Sequence, residues 1–273
     1  MDKKSEFNKI CKDIKSIKIQ GAENVAKAAF KAYNLLPKKS SIKILSGLRP
    51  TEPMLFNVLK LVDKISYNDL INRLDENQNT MNKEVFKLIK NNSVIFTHCH
   101  SSTVTKALIY SHKKGKKFEV YNTETRPLFQ GRKTAKELKK AHIKVTTFID
   151  SATEIALTKE QDKEEHTKPV NMVMTGTDAI LKEKVINKVG SGMFAKIAKI
   201  NKIPVYIIAN SLKFSNKPLD LEQRNKKEVW NKKGIEVKNP AFESIDKSDI
   251  TAIISELGTL SYNEFLRKVK LAK

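Results

Sequence analysis

The chain has 273 residues, 40% of them hydrophobic, enough for a large core and for one large or two modest domains. Its formal charge of +22 rests on 52 basic residues, only six of them arginine, and the lysines are scattered rather than gathered into a tract. No aromatic-interleaved basic patch accompanies them, so nucleic acid is not the expected partner, and an anionic small molecule suits the charge equally well.

Met1-Asp2-Lys3-Lys4-Ser5-Glu6 leads into a charged helical pattern with no apolar segment or cleavage site of a leader. No stretch reaches the apolar length of a membrane span. Two cysteines, Cys11 and Cys99, are too few for a disulfide framework and suit a reducing compartment. The cytoplasm is the expected location.

Up to about residue 91 the pattern is helical. Small apolar residues recur at helical spacing over 22–36, and Pro37 follows as a stop. A second helix is expected from Pro53, with Met54, Leu55, Val58, Leu59 and Val62 on one face, and a third from Met81 to Ile89. The polar stretch 74–80 between them reads as a hinge.

From residue 92 short apolar runs alternate with charged helical segments. Strands are expected at 93–97, 118–122, 145–149, 171–175, 205–209 and 251–255, with helices near 103–113, 133–141, 152–158 and 192–202. That alternation predicts an α/β chain: a small helical N-terminal domain over 1–91, then a Rossmann-like domain over 92–273 with a mostly parallel sheet. In such sheets ligands bind beyond the carboxyl ends of the strands. One thiol, one or two carboxylates, an arginine and a lysine converge there.

Cys99 follows the first strand and precedes Ser101 and Ser102, good helix-capping residues. A helix N-terminus lowers a thiol's pKa and its amides can hold a phosphate, so a functional thiol is expected here rather than a small buried hydrophobe. A metal reading of His98-Cys99-His100 is weaker, since consecutive strand residues point apart and no second ligand pair follows. Asp178, after an apolar run and Gly176, serves either as a helix cap or as a general acid or base. Asp150-Ser151 reads as an ordinary cap. Asn187-Lys188-Val189-Gly190 reads as a glycine turn entering a helix, a phosphate cradle, though not a Walker motif. Taken singly, Lys188 and Lys213 pass for surface lysines. Arg49-Pro50-Thr51 is more distinctive because arginine is scarce.

These pieces in this order resemble one superfamily: ribose-1,5-bisphosphate isomerase, methylthioribose-1-phosphate isomerase and the alpha, beta and delta subunits of translation initiation factor two B. The resemblance runs from about Ile19 to Gly258. It is carried by Gln20-Gly21-Ala22, Arg49-Pro50-Thr51, Thr97-His98-Cys99-His100-Ser101, Thr123-Glu124-Thr125-Arg126-Pro127 with Gln130-Gly131, Thr177-Asp178, Asn187-Lys188-Val189-Gly190, Lys213-Phe214, Asn239-Pro240-Ala241-Phe242 and Glu256-Leu257-Gly258. It implies Cys99 as base and Asp178 as acid in converting ribose 1,5-bisphosphate to ribulose 1,5-bisphosphate, in an archaeal type of nucleotide salvage. A hydride shift with the same residues stays open. It further implies that Gln20, Gly21, Ala22, Glu23, Arg49, Ser101, Ser102, Thr103, Asn187, Lys188 and Lys213 bind the substrate, with no metal or organic cofactor.

The resemblance also implies a homo-oligomer built from dimers, up to a hexamer. In the isomerases an Arg-Gly-Ala-Gly loop stands where this chain has Gln20-Gly21-Ala22-Glu23. That loses a bidentate phosphate donor and adds a carboxylate. A non-catalytic regulatory subunit, partnered with translation initiation factor two, could tolerate both changes. The methylthioribose branch usually has Asn-Thr-Gly after its cysteine, not His-Ser-Ser.

Overall fold

Alternation of short buried strands with amphipathic helices produces a seven-stranded sheet flanked by helices. The structure is a computed structural model that describes residues 2–160 and 166–271. Five helices come first: α1 (Lys3–Lys15), α2 (Ala22–Leu35), α3 (Lys39–Ser46), α4 (Pro53–Leu59) and α5 (Tyr67–Leu88). The alternating part follows as β1 (Ser93–Thr97), α6 (Ser102–Lys113), β2 (Phe118–Thr123), α7 (Gln130–Lys140), β3 (Lys144–Phe148), α8 (Thr153–Ala156) and β4 (Met172–Thr175). Then come β5 (Ala179–Ile180), β6 (Lys184–Lys188), α9 (Ser191–Ile200), β7 (Val205–Ile208), β8 (Phe242–Asp246), β9 (Ala252–Ser255), β10 (Gly258–Leu260) and α10 (Tyr262–Leu271).

The main sheet has the order β10-β9-β7-β4-β1-β2-β3, parallel throughout except for β10. Helices cover both faces, so the inner strands are apolar on both sides. In β1, Val94 and Phe96 join one core with Phe194, Ile207 and Phe265, while Ile95 faces the other core with Val104, Leu108 and Met174. A strand's two-residue period explains that split. Each expected strand is present to within a residue or so at its ends.

The N-terminal helices enclose their own apolar clusters, one around Phe7, Ile14, Val25, Tyr33 and Leu55, another around Phe30, Met54, Val58 and Leu70. The hinge expected at 74–80 does not exist. Residues 67–88 form one unbroken helix of 22 residues, opened by a capping box in which Ser66 and Asp69 exchange hydrogen bonds. Leu74, Gln78, Met81 and Asn82 fall on its buried side, and Gln78 Nε2 donates to Asn82 Oδ1 at 2.7 Å. Polarity in 74–80 marks the wet face and a buried amide whose Nε2 is bonded to Asn82 and to the Thr103 carbonyl, not a break. Met81, Val85 and Ile89 pack into the sheet's core, so this helix ties the N-terminal clusters to the sheet.

A second sheet of three antiparallel strands, β5-β6-β8, sits beyond the end of β4. Sequence patterning missed it because β5 has only two residues and β6 and β8 mix charged with apolar residues rather than forming an apolar run. Residues 187–188, expected in a glycine turn, end β6, and Gly190 alone makes the turn into α9 with φ +100°. No helix among the described residues is long and apolar enough to cross a membrane.

Candidate active site

The strand order fixes where the site lies. The chain runs from β1 outward to β2 and β3, then returns to place β4 on the other side of β1. Strand order therefore reverses between β1 and β4, and a crevice opens at the carboxyl ends there. Cys99 follows β1 and Asp178 follows β4. The loops touch: a Cβ on Gly176 would lie 2.5 Å from Ser101 Oγ, so only glycine fits.

One cavity of about 230 Å³ fills this crevice. Its walls include Gln20, Gly21, Ala22, Glu23, Arg49, Cys99, Ser101, Ser102, Thr103, Asp178, Asn187, Lys188 and Lys213. Every site residue singled out from the sequence borders this one space. The N-terminal helices close it on one side, through the turn before α2 and the turn before α4.

Cys99 sits in the left-handed region at φ +64°, a strained conformation for a non-glycine residue. A relay across three strand ends holds it. Asp150, after β3, accepts the amides of Thr125 at 2.9 Å and Arg126 at 2.6 Å; Thr125 Oγ1 then accepts the Cys99 amide at 3.1 Å. Thr134 Oγ1 donates to the Cys99 carbonyl at 2.9 Å from α7. Asp150 is thus more than the ordinary cap expected. The flanking histidines diverge, His98 toward Thr123 and Val189, His100 toward Thr134. Among the described residues no three His, Cys, Asp or Glu side chains converge as a metal site.

The thiol's acidity departs from expectation. Burial pushes the Cys99 pKa up to about 12, and the nearby Asp178 and Asp150 carboxylates push the same way, against the His100 amide and the Lys188 ammonium. Cys99 is two residues ahead of the helix cap, Ser101, whose hydroxyl accepts the Val104 amide at 3.4 Å. The favourable amides serve Ser101, and desolvation decides the thiol. Burial likewise raises Asp178, opposed by Lys213, Arg49 and Lys188. Burial thus acts on both members of the pair in the same direction, raising each pKa.

The lysines that pass singly for surface residues are buried, Lys188 with 6% and Lys213 with 9% exposure. Lys213 Nζ donates to the Thr177 carbonyl at 2.5 Å, and the Asp178 amide donates to the Ile186 carbonyl at 2.9 Å. Asn187 Nδ2 bridges Thr175 Oγ1 at 3.1 Å and Ser191 Oγ at 2.9 Å, locking β6 to β4 and to α9. Glu23 pairs with Lys27 one helical turn on, at 2.6 Å, so its added charge is neutralised along α2.

Several cavity residues escaped sequence reading: Glu52, Lys133, Glu222 and Arg224. Arg224, one of the six arginines, carried a signal in its scarcity. Glu52, three residues after Arg49, carried one in its spacing. Glu52 is 1% exposed, and burial raises its pKa to about 7 despite Arg49 Nη2 at 2.8 Å.

Residues 39–262 match the Initiation factor 2 subunit family. The chain belongs to that family. Ribose 1,5-bisphosphate isomerase of Methanocaldococcus jannaschii is 31% identical, over 90% of this chain and 89% of its own length. Methylthioribose-1-phosphate isomerase of Thermoanaerobacter sp. is 32% identical, over 97% of this chain and 81% of its own. Among solved structures, the translation initiation factor eIF-2B of Pyrococcus horikoshii OT3 superposes with a TM-score of 0.79 at 23% identity, covering 93% of this chain and 96% of that one. This Initiation factor 2 subunit family member therefore stands with sugar-phosphate isomerases by sequence, in a fold that a translation factor shares.

Proposed function

We propose that this chain is an aldose–ketose isomerase that converts ribose 1,5-bisphosphate to ribulose 1,5-bisphosphate. The observation that carries the proposal is the meeting of Cys99 and Asp178 at the switch point of the sheet, in one cavity with Arg49, Lys188 and Lys213. An acid–base pair beside three cations is what a phosphorylated sugar needs. The Methanocaldococcus relative supports the bisphosphate. So does His100-Ser101-Ser102 after the cysteine, in place of the Asn-Thr-Gly usual in the methylthioribose branch.

In this reaction Asp178 gives a proton to the ring oxygen as the bond from C1 to that oxygen breaks. The Cys99 thiolate removes the proton from C2, leaving an enol across C1 and C2. Asp178 then takes back the proton of the C2 hydroxyl while Cys99 delivers its proton to C1, giving the ketone and restoring both groups. The resting thiol must ionise first, and Lys188 is the neighbour that favours the thiolate. Ser101, Ser102 and Thr103 at the start of α6, with Gln20, Gly21 and Ala22 at the start of α2, offer hydroxyls and amides to a phosphate. Two cysteines without a disulfide suit a cytoplasmic enzyme. Exposed Ile149, Ile155 and Met193 suit assembly into a dimer-based homo-oligomer.

The deciding experiment incubates the purified protein with ribose 1,5-bisphosphate and follows ribulose 1,5-bisphosphate. Turnover abolished by Cys99→Ser supports the proposal. Absence of turnover, or turnover indifferent to that substitution, overturns it, and stable co-purification with translation initiation factor two would favour the regulatory reading.

A further inference from the structure

Arg49 meets the cavity with its charge already engaged by two unequal carboxylates. Its Nη2 lies 2.8 Å from Glu52 Oε1, and its Nε lies 3.3 Å from Glu222 Oε2. Glu52 belongs to the same turn, immediately ahead of α4, and is sealed in at 1% exposure. Glu222 comes from an irregular stretch joined to its neighbours by an isolated bridge, Gln223 with Pro240, and its side chain is 21% exposed. Its contact with Arg49 is poor. Arg49 Nε and Glu222 Oε2 are both buried and neither has a hydrogen-bond partner. A buried donor thus faces a buried acceptor without completing a bond, which leaves the desolvation of both uncompensated.

Glu222 has a second cation within reach. Its Oε1 lies 3.9 Å from Arg224 Nη1, so the carboxylate stands between two guanidinium groups. Arg224 is fixed by a two-point contact with Glu228, Nε to Oε2 at 3.1 Å and Nη2 to Oε1 at 2.6 Å. Its backbone amide donates to the Asn239 carbonyl at 3.0 Å. Arg224 lines the same cavity as Arg49.

We infer that Glu222 is a placeholder anion: it engages Arg49 until a phosphate group arrives, and then passes to Arg224. The inference rests on the reading of this cavity as a phosphate site. A phosphate oxygen supplies Arg49 Nε with the aligned acceptor that Glu222 fails to give, and Arg224 keeps the displaced carboxylate compensated. Glu52 stays, orienting the guanidinium throughout. The exchange favours a dianionic phosphate over a monoanionic or neutral ligand, because only the stronger anion outbids a resident carboxylate. Glu222 is a positioning residue that sets selectivity for charge.

Calorimetric titration of inorganic phosphate into the wild type and variants tests this. Glu222→Gln is expected to bind phosphate about fivefold to tenfold more tightly, as removal of a competing charge predicts. Glu222→Ala carries the same expectation and checks that the new amide is not itself a ligand. Arg224→Gln is expected to bind about fivefold more weakly in the wild-type background and to change affinity less than about twofold beside Glu222→Gln. Circular dichroism confirms that each variant is folded, and one that is not is replaced by its Ala or Lys counterpart. Unchanged or weaker binding by both Glu222 variants overturns the placeholder role. Additive effects of the Arg224 and Glu222 substitutions overturn the transfer, since Arg224 would then be a phosphate ligand itself. Phosphate binding that survives Arg49→Gln, or is absent from the wild type, overturns the phosphate-site reading and the inference with it.

Discussion

His98 Nδ1 lies 2.6 Å from the Thr123 hydroxyl, and its opposite Nε2 lies 3.0 Å from the Val189 carbonyl. A carbonyl only accepts, so Nε2 carries the proton and Nδ1 accepts from Thr123. The ring thus joins the ends of β1, β2 and β6 next to Cys99. Burial lowers its pKa to about 4, with Asp150 opposing and Lys188 reinforcing. An unfolded histidine near 6.5 binds more protons than the native one between about pH 4 and 6.5, so native stability is lost as pH falls through that window. The cost reaches up to about 3 kcal/mol. His98→Asn is expected to lower the melting temperature at pH 7 and to flatten its fall between pH 6.5 and 5, measured by calorimetry. An equally steep acid limb in the variant would refute the assignment.

The raised Cys99 thiol makes a chemical prediction. With a pKa of about 12, the thiolate fraction at pH 7.5 is on the order of 10⁻⁴ to 10⁻⁵. Iodoacetamide should label Cys99 slowly at neutral pH and faster with each added pH unit. Lys188→Met should slow labelling further by removing the cation. Peptide mass spectrometry reads both, and rapid labelling at pH 7 would contradict the raised thiol pKa.

Proton transfer by the pair sets the kinetic expectation. Asp178→Asn and Cys99→Ser should each lower kcat by about 10² to 10⁴-fold, the range for losing a general acid or base. Apparent substrate affinity should change far less, because Arg49, Lys188 and Lys213 remain. A larger change in KM than in kcat would reassign these residues to binding.

Glu52 gives the opposite pH signature to His98. Its pKa is raised to about 7 from an ordinary value of 4.5, so the native state holds more protons between those values and loses stability as pH rises through them. The loss is about 3 kcal/mol at most. Glu52→Gln should remove that slope and melt higher than the wild type at pH 8. Identical pH dependence in the two proteins would show that the Arg49 pair, not burial, governs this carboxylate.

Gly176→Ala tests the contact between the loops after β1 and β4. The added methyl would sit 2.5 Å from Ser101 Oγ and 2.7 Å from its Cβ. Overpacking of this kind costs roughly 1–3 kcal/mol. Ser101→Gly in the same chain should recover most of the loss, as followed by urea denaturation. Failure to recover it would locate the strain in the backbone.

Six alternating strands and their helices were legible because parallel strands covered on both faces must be short apolar runs, and their helices must be amphipathic. The candidate site was legible for a related reason. Strand ends are where such a sheet binds ligands, so Cys99 and Asp178 stood out by position before any neighbour was known. The hinge at 74–80 was misread because local polarity does not distinguish the wet face of a long helix from a break. The three-stranded sheet stayed hidden because β5 has only two residues and β6 and β8, Lys184–Lys188 and Phe242–Asp246, mix charged and polar residues with apolar ones instead of forming an apolar run.

The cysteine between β1 and α6 was fixed by sequence as a residue at the mouth of the sheet, and its acidity was not. Sequence determines which groups follow which strands, since chain order and periodicity are local. Only the tertiary structure decided that Cys99 is a desolvated, half-buried thiol in the cavity wall rather than a helix-stabilised thiolate. It alone decided that Lys188 and Lys213 are buried. Desolvation and charge pairing depend on what packs around a group, and those neighbours lie tens of residues away along the chain.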